Sequence, residues 1–151
     1  MVLKDILVIS GQSGLFKYIS QGRNSVIVEN LIDQKRTTIP ATAKISMLED
    51  IAVFTEDKDV SLREVFKKIQ VKENGGATIH HKSSDADLKK YFKEVMPEYD
   101  KDRVYVSDIR KIALWYNLLL ELGINEFDLP EVEKNEKAKV ETGERNGNNE
   151  T

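Results

Sequence analysis

The chain has 151 residues, of which 40% are hydrophobic and 32% charged, and a formal net charge of −3. That composition fits a globular protein of one domain or two small ones and gives no overall positive field to recruit nucleic acid or an anionic membrane. Cysteine is absent, which removes disulfides, thiolate nucleophiles and Cys-ligated zinc together. No basic segment followed by an apolar run opens the chain, and no stretch nears the roughly 20 apolar residues a bilayer requires, so a cytoplasmic protein is expected.

The first part reads as short strands separated by turns. Leu3–Ile9 is rich in Leu, Ile and Val, and Gly11-Gln-Ser-Gly14 turns the chain. Leu15–Ile19 alternates, with Leu15, Lys17 and Ile19 on one side and Phe16 and Tyr18 on the other. Gln21–Asn24 is a second turn, before Ser25–Leu31 with Val26-Ile-Val28 at its centre. Asp33-Gln-Lys35 leads into Arg36–Ile39, which Pro40 ends, and Ile51–Thr55 is a fifth strand candidate. The intervening stretch, Ala41–Asp50, reads as a loop with one helical turn. Five short strands with regular turns suggest a small antiparallel barrel or a strongly bent sheet, and an SH3-like β-barrel over residues 1–58 is the first choice.

The hydrophobic period then changes to that of helices. Ser61-Leu-Arg-Glu64 is a capping box, followed by an apolar stripe of Leu62, Val65, Phe66 and Ile69 that Asn74-Gly-Gly76 ends. Ser84, with Asp87 three residues on, starts a second helix with the stripe Leu88, Tyr91, Phe92 and Val95. Ser107 is the expected cap of a third helix, about Asp108 to Leu122, with Gly123 at its C′ position and Ile124 closing a Schellman end. This last helix is apolar over about half its circumference, through Ile109, Ile112, Ala113, Trp115, Tyr116, Leu119, Leu120 and Leu122. Leu114 and Leu118 lie outside that sector, with Lys111 on the same side. Arg110, Asn117 and Glu121 form the polar face. The helical part is thus expected over residues 59–128, and the Glu- and Lys-rich residues 129–151 are expected to be a disordered tail.

Candidate chemistry is sparse. Asp100, Asp102 and Asp108 invite comparison with a calcium loop, but such a loop from Asp100 would need glycine where Tyr105 stands and a bidentate Glu where Lys111 stands. Gly11-Gln-Ser-Gly14 has the spacing of a nucleic-acid backbone clamp, yet strands rather than helices flank it, so a hairpin turn is expected. His80 and His81 are the two histidines. Neighbours on an extended segment point to opposite faces and chelate one metal poorly. No catalytic residue, metal ligand or cofactor site is assigned, and an enzyme is not expected.

Two blocks carry a resemblance. The run Leu3-Lys-Asp-Ile-Leu-Val-Ile-Ser-Gly-Gln-Ser-Gly-Leu-Phe-Lys-Tyr-Ile-Ser20 and the segment Tyr99-Asp-Lys-Asp-Arg-Val-Tyr-Val-Ser-Asp-Ile-Arg-Lys-Ile-Ala-Leu-Trp-Tyr-Asn-Leu-Leu119 together resemble an uncharacterised domain-of-unknown-function family of Bacteroidales. The resemblance spans residues 2–128. It implies a β module followed by helices, and brings no activity, ligand or catalytic residue.

The expected architecture is therefore α+β, and the expected function is a non-enzymatic binding or adaptor module. Its expected partner is a protein, met through the barrel or through Leu114, Trp115 and Leu118 of the last helix, on a monomer or weak homodimer. The alternative is a nucleic-acid-binding module in which Lys17, Arg23, Lys35, Arg36 and Lys44 form a basic face on the barrel beside Phe16 and Tyr18.

Overall fold

The computed structural model describes residues 3–127; the expected tail, 129–151, lies outside the described residues. A 3-10 turn, Leu3–Asp5, precedes β1 (Ile6–Ile9), β2 (Phe16–Gly22), β3 (Ser25–Asn30), β4 (Arg36–Pro40) and β5 (Ile45–Met47). A second 3-10 turn, Leu48–Asp50, leads to β6 (Ala52–Phe54) and β7 (Asp59–Ser61), then to α1 (Leu62–Lys72), α2 (Asp85–Val95) and α3 (Val106–Glu121). The α+β class is as expected.

The barrel is not. The five-stranded antiparallel sheet has the order β4-β3-β2-β1-β5, and no ladder joins β4 to β5, so the sheet is open. The fifth sheet strand is not Ile51–Thr55. Ile45–Met47, inside the stretch expected to be a loop, takes the edge beside β1 by pairing Leu7 with Met47 and Ile9 with Ile45. Ala52–Phe54 pairs with β7 in a separate hairpin. The open sheet is nonetheless strongly curled. Only residues 41–44 separate β4 from β5, strands at opposite edges. Extended chain from Pro40 to Ile45 reaches about 17 Å, whereas four strand spacings across a flat sheet need about 19 Å.

The sheet carries an apolar cluster on each face. On one, Ile9, Phe16, Val28 and Ile39 form a small core with Leu7, Val26, Ala43 and Ile45 against it, all from the sheet and its connections. On the other, Ile6 and Leu15 join the main core with Val53, Val65, Phe66, Leu88, Phe92, Ile109 and Leu119. Burying each large apolar side chain contributes about 1.5–3 kcal/mol. Phe66, Tyr116 and Phe127 pack as an aromatic triad, with centroid separations of 5.6–5.9 Å.

The helix ends follow local chemistry. The Ser61 and Ser84 hydroxyls accept from the Glu64 and Asp87 amides at 3.4 and 3.1 Å, as the sequence predicts. Ser107 does not cap α3. The Asp108 carboxylate reaches back to accept from the Tyr105 amide at 2.9 Å, which starts the helix at Val106. At the other end Gly123 adopts φ +76°, its amide donates to the Leu120 carbonyl at 3.1 Å, and the Ile124 amide donates to Leu119 at 2.9 Å. That is the Schellman arrangement. Among the described residues, no helix is long and apolar enough to cross a membrane.

Candidate functional site

Helix α3 borders two different regions, one on each side. Its polar face does not meet solvent alone: it holds the connection between α1 and α2. Asn117 accepts from the Thr78 amide at 2.9 Å and donates to the Thr78 and Ile79 carbonyls at 3.4 Å. One helical turn pair earlier, Arg110 donates to the His81 and Ser83 carbonyls and to Asp85 Oδ1 at 2.7 Å. Within this connection the Thr78 hydroxyl donates to Tyr91, whose own hydroxyl donates to Glu73. Burial, reinforced by the Glu73 contact, pushes the Tyr91 hydroxyl well above its usual pKa, and burial raises Tyr116 as well. His80 and His81 stack with centroids 4.6 Å apart, and desolvation, then the neighbouring His80, Lys82 and Arg110, hold His81 below its usual value.

The opposite side of α3 borders a cleft of about 290 Å³. One wall is sheet: Val8 and Ser10 from the β1 end, Lys44 and Ser46 from β5 and the residue before it. Strand alternation puts Val8 and Ser46 on the face turned away from the small sheet core, since the paired positions Leu7, Ile9 and Ile45 line that core. The second wall is Ile51 with β6, and the third is α3, through Asp108, Lys111, Ile112 and Trp115. Between them stand Arg103 and Val104 of the α2–α3 connection. β6 and this connection are tied together: the Asp100 amide donates to the Phe54 carbonyl at 2.9 Å, and the Glu56 amide to Glu98 at 3.0 Å.

The charges around the cleft differ in their commitments. The Arg103 guanidinium sits 4.5 Å over the Phe54 ring, donates to Asp100 Oδ2 at 2.9 Å, and reaches the Thr55 carbonyl. The Arg103 hydrogen bond, helped by the Asp102 amide, lowers the Asp100 carboxyl pKa. Asp108 is engaged at the start of α3. Among the described residues, no ion pair or hydrogen bond engages the Lys44 or Lys111 ammonium. Also among the described residues, no group of three or more His, Asp or Glu side chains is placed to hold a metal.

The residues expected to form interfaces separate in space. Trp115 is 9% exposed and lines the cleft. Leu118 is half-buried against the main core, while Leu114 is half-buried without joining it. Of the basic set, Lys17 and Arg36 flank Glu29 in the cross-strand row Lys17–Glu29–Arg36, at 3.6 and 3.1 Å. Arg23 lies exposed in the β2–β3 turn and Lys35 exposed before β4. Lys44 stands apart, next to β5 at the other sheet edge. Phe16 is buried in the small sheet core, while Tyr18 is 55% exposed. The cleft itself was not anticipated. Trp115, Lys111 and Lys44 each drew notice in the sequence, but nothing local joins a residue before β5 to the middle of α3.

Residues 3–48 match the family model described as Domain of unknown function (DUF5606), and residues 51–119 match Domain of unknown function (DUF6852). The cleft draws its walls from both segments. No functionally curated protein matches the chain. Among solved structures, the chain is similar to a Bacteroides vulgatus protein determined by solution NMR, at 46% identity over 83% of this chain and 91% of that one, with a TM-score of 0.68. The sheet module and the helical module, in this order and over nearly the full length of that relative, place the chain by descent as well as by shape: it belongs to an uncharacterised Bacteroidales family of domain-of-unknown-function proteins.

Proposed function

We propose that this chain is a non-enzymatic binding module whose binding site is the cleft between the sheet, β6 and α3. The observation that carries the proposal is a hollow lined mainly by apolar side chains, Val8, Ile51, Ile112 and Trp115 among them, with polar and charged groups from Ser10, Lys44, Ser46, Arg103, Asp108 and Lys111. That combination is the usual character of a small-ligand site. A catalytic role finds little support there. The one lining carboxylate, Asp108, is spent on the helix start, and both histidines belong to the α1–α2 connection. Protein binding through the last helix is less well supported than the sequence implies, because Trp115 is nearly covered and Leu118 packs on the core. A nucleic-acid face is less well supported too, since Lys17 and Arg36 both pair with Glu29, which offsets one of their two charges, and the remaining cations are scattered.

Trp115 is the chain's single tryptophan, so its fluorescence reports the cleft directly. Octanol, as a neutral apolar probe, should change that emission saturably. Ala52→Phe, which places a ring at an exposed lining position of β6, should abolish the response while circular dichroism stays unchanged. No saturable response, or a response that Ala52→Phe leaves intact, would remove the cleft as the binding site.

A further inference from the structure

The cleft has a charge pattern as well as an apolar lining, and the two together specify a ligand class. Lys44 comes from the sheet wall and Lys111 from the helix wall, so lysines on two different walls border the same cleft. Both residues are exposed, and neither has a carboxylate partner among the described residues. This contrasts with the hollow at the far end of α3, where Lys17 and Glu29 already pair at 3.6 Å. Arg103 is neutralised by Asp100, and Asp108 offsets one of the two lysines, which leaves the cleft with one net positive charge. Ser10 and Ser46 add hydroxyls on the sheet wall. The apolar lining then continues inward from this rim to Ile112 and Trp115.

We propose that the cleft takes a small monocarboxylate with a compact apolar body, its carboxylate between Lys44 and Lys111 and its body against Trp115 and Ile112. This rests on the binding role proposed above and adds the chemistry of the ligand. A single anionic charge matches the net charge of the rim, whereas a polyanion would meet Asp108. A volume of about 290 Å³ falls at the small end of ligand sites, which run to about 1,000 Å³. That favours a free small acid over the carboxyl end of a peptide, whose preceding residues would need an extended groove.

The test titrates the full chain with octanoate and, separately, octanol, following Trp115 emission. Octanoate should bind several-fold more tightly than octanol. Lys44→Gln and Lys111→Gln should each weaken octanoate about fivefold, the scale of one partly exposed ion pair, and leave octanol affinity unchanged. Both lysines are exposed, so the variants should keep the wild-type circular dichroism spectrum. Equal affinity for octanoate and octanol, or lysine variants that bind octanoate normally, would overturn the carboxylate assignment while leaving the binding role standing. Failure of both probes would remove the binding role and the assignment with it. A peptide ending in leucine that binds more tightly than octanoate, and loses this when its terminus is amidated, would overturn the small-acid assignment in favour of a peptide end.

Discussion

The two faces of the sheet bury their apolar residues by different means. The face bearing Ile9, Phe16, Val28 and Ile39 is covered by the sheet's own curvature and by the short β4–β5 connection. The face bearing Ile6 and Leu15 is covered by Leu62, Phe66, Ile112 and Trp115, which arrive only with the helical part. The first face is a local solution that the β module supplies for itself. The second is shared, so neither module buries its apolar surface without the other. A family boundary that falls between residues 48 and 51 therefore runs beside a continuous core.

The difference can be broken most directly by separating the modules. Residues 1–58 expressed alone should show no cooperative thermal transition, because Ile6, Leu15, Leu48 and Val53 would all lose their cover. A sharp transition with dispersed amide resonances would mean the small sheet core suffices. Next in size is a pair of truncations in the full chain. Phe66→Ala, in the aromatic triad and fully buried, should cost about 3–5 kcal/mol, and Ile39→Ala in the small core about 2–4 kcal/mol. Chemical denaturation followed by circular dichroism measures both, and each variant should still unfold in one step. Two steps in Ile39→Ala would show that the curled face melts on its own.

Much of this layout was legible in the sequence, for reasons particular to each element. Ser61 and Ser84 announced α1 and α2, because a side-chain oxygen beside an amide is a local contact. The apolar sector of α3 was legible because helical period maps directly onto burial: Ile109, Ile112, Ala113, Trp115, Tyr116 and Leu119 are the buried residues. β5 was not legible. It has three residues, one of them Ser46, and its place depends on pairing with distant β1. Closure of the sheet was equally hidden, since an open and a closed sheet differ only in whether two edges meet, and alternation within strands is the same in both. The polar face of α3 was legible as a face, but not its use: Arg110 and Asn117 hold a loop that no local pattern places there. The cleft fails for the same reason: Lys44 and Trp115 were each noted, and only the tertiary fold brings both to the lining of one cleft.

That loop offers a smaller test of how the helical part is fastened. Asn117 satisfies one amide and two carbonyls of the α1–α2 connection. Asn117→Ala should cost about 1–3 kcal/mol, because the Thr78 amide, on a residue only 8% exposed, loses its partner. Hydrogen exchange at Thr78 should accelerate while exchange in the sheet core stays close to wild type. Equal acceleration in the sheet would mean the connection and the shared core open together, and the contrast between the two faces would then extend to neither module alone.

The smallest effect concerns Tyr91, and it separates the shared core from the curled sheet by pH. Its hydroxyl lies between Thr78 and Glu73, and burial beside that carboxylate raises its pKa above the ordinary value. A raised folded-state pKa means that the folded chain keeps the proton after the unfolded chain has lost it. The stabilising contribution is therefore complete below the unfolded value, about 10, and is lost as pH climbs beyond it. Tyr116 shifts in the same direction, by burial, so it adds to the same alkaline decline. Tyr91→Phe should cost about 1 kcal/mol near neutrality, the size of a typical hydrogen bond, and should flatten the fall in stability above pH 10 relative to the parent chain. Denaturation midpoints at neutral pH and at several points above pH 10 measure both quantities. An unchanged alkaline slope in Tyr91→Phe would mean that the tyrosine ionises as freely in the folded chain as in the unfolded one, and that the Glu73–Tyr91–Thr78 chain opens to water while the core behind it stays shut.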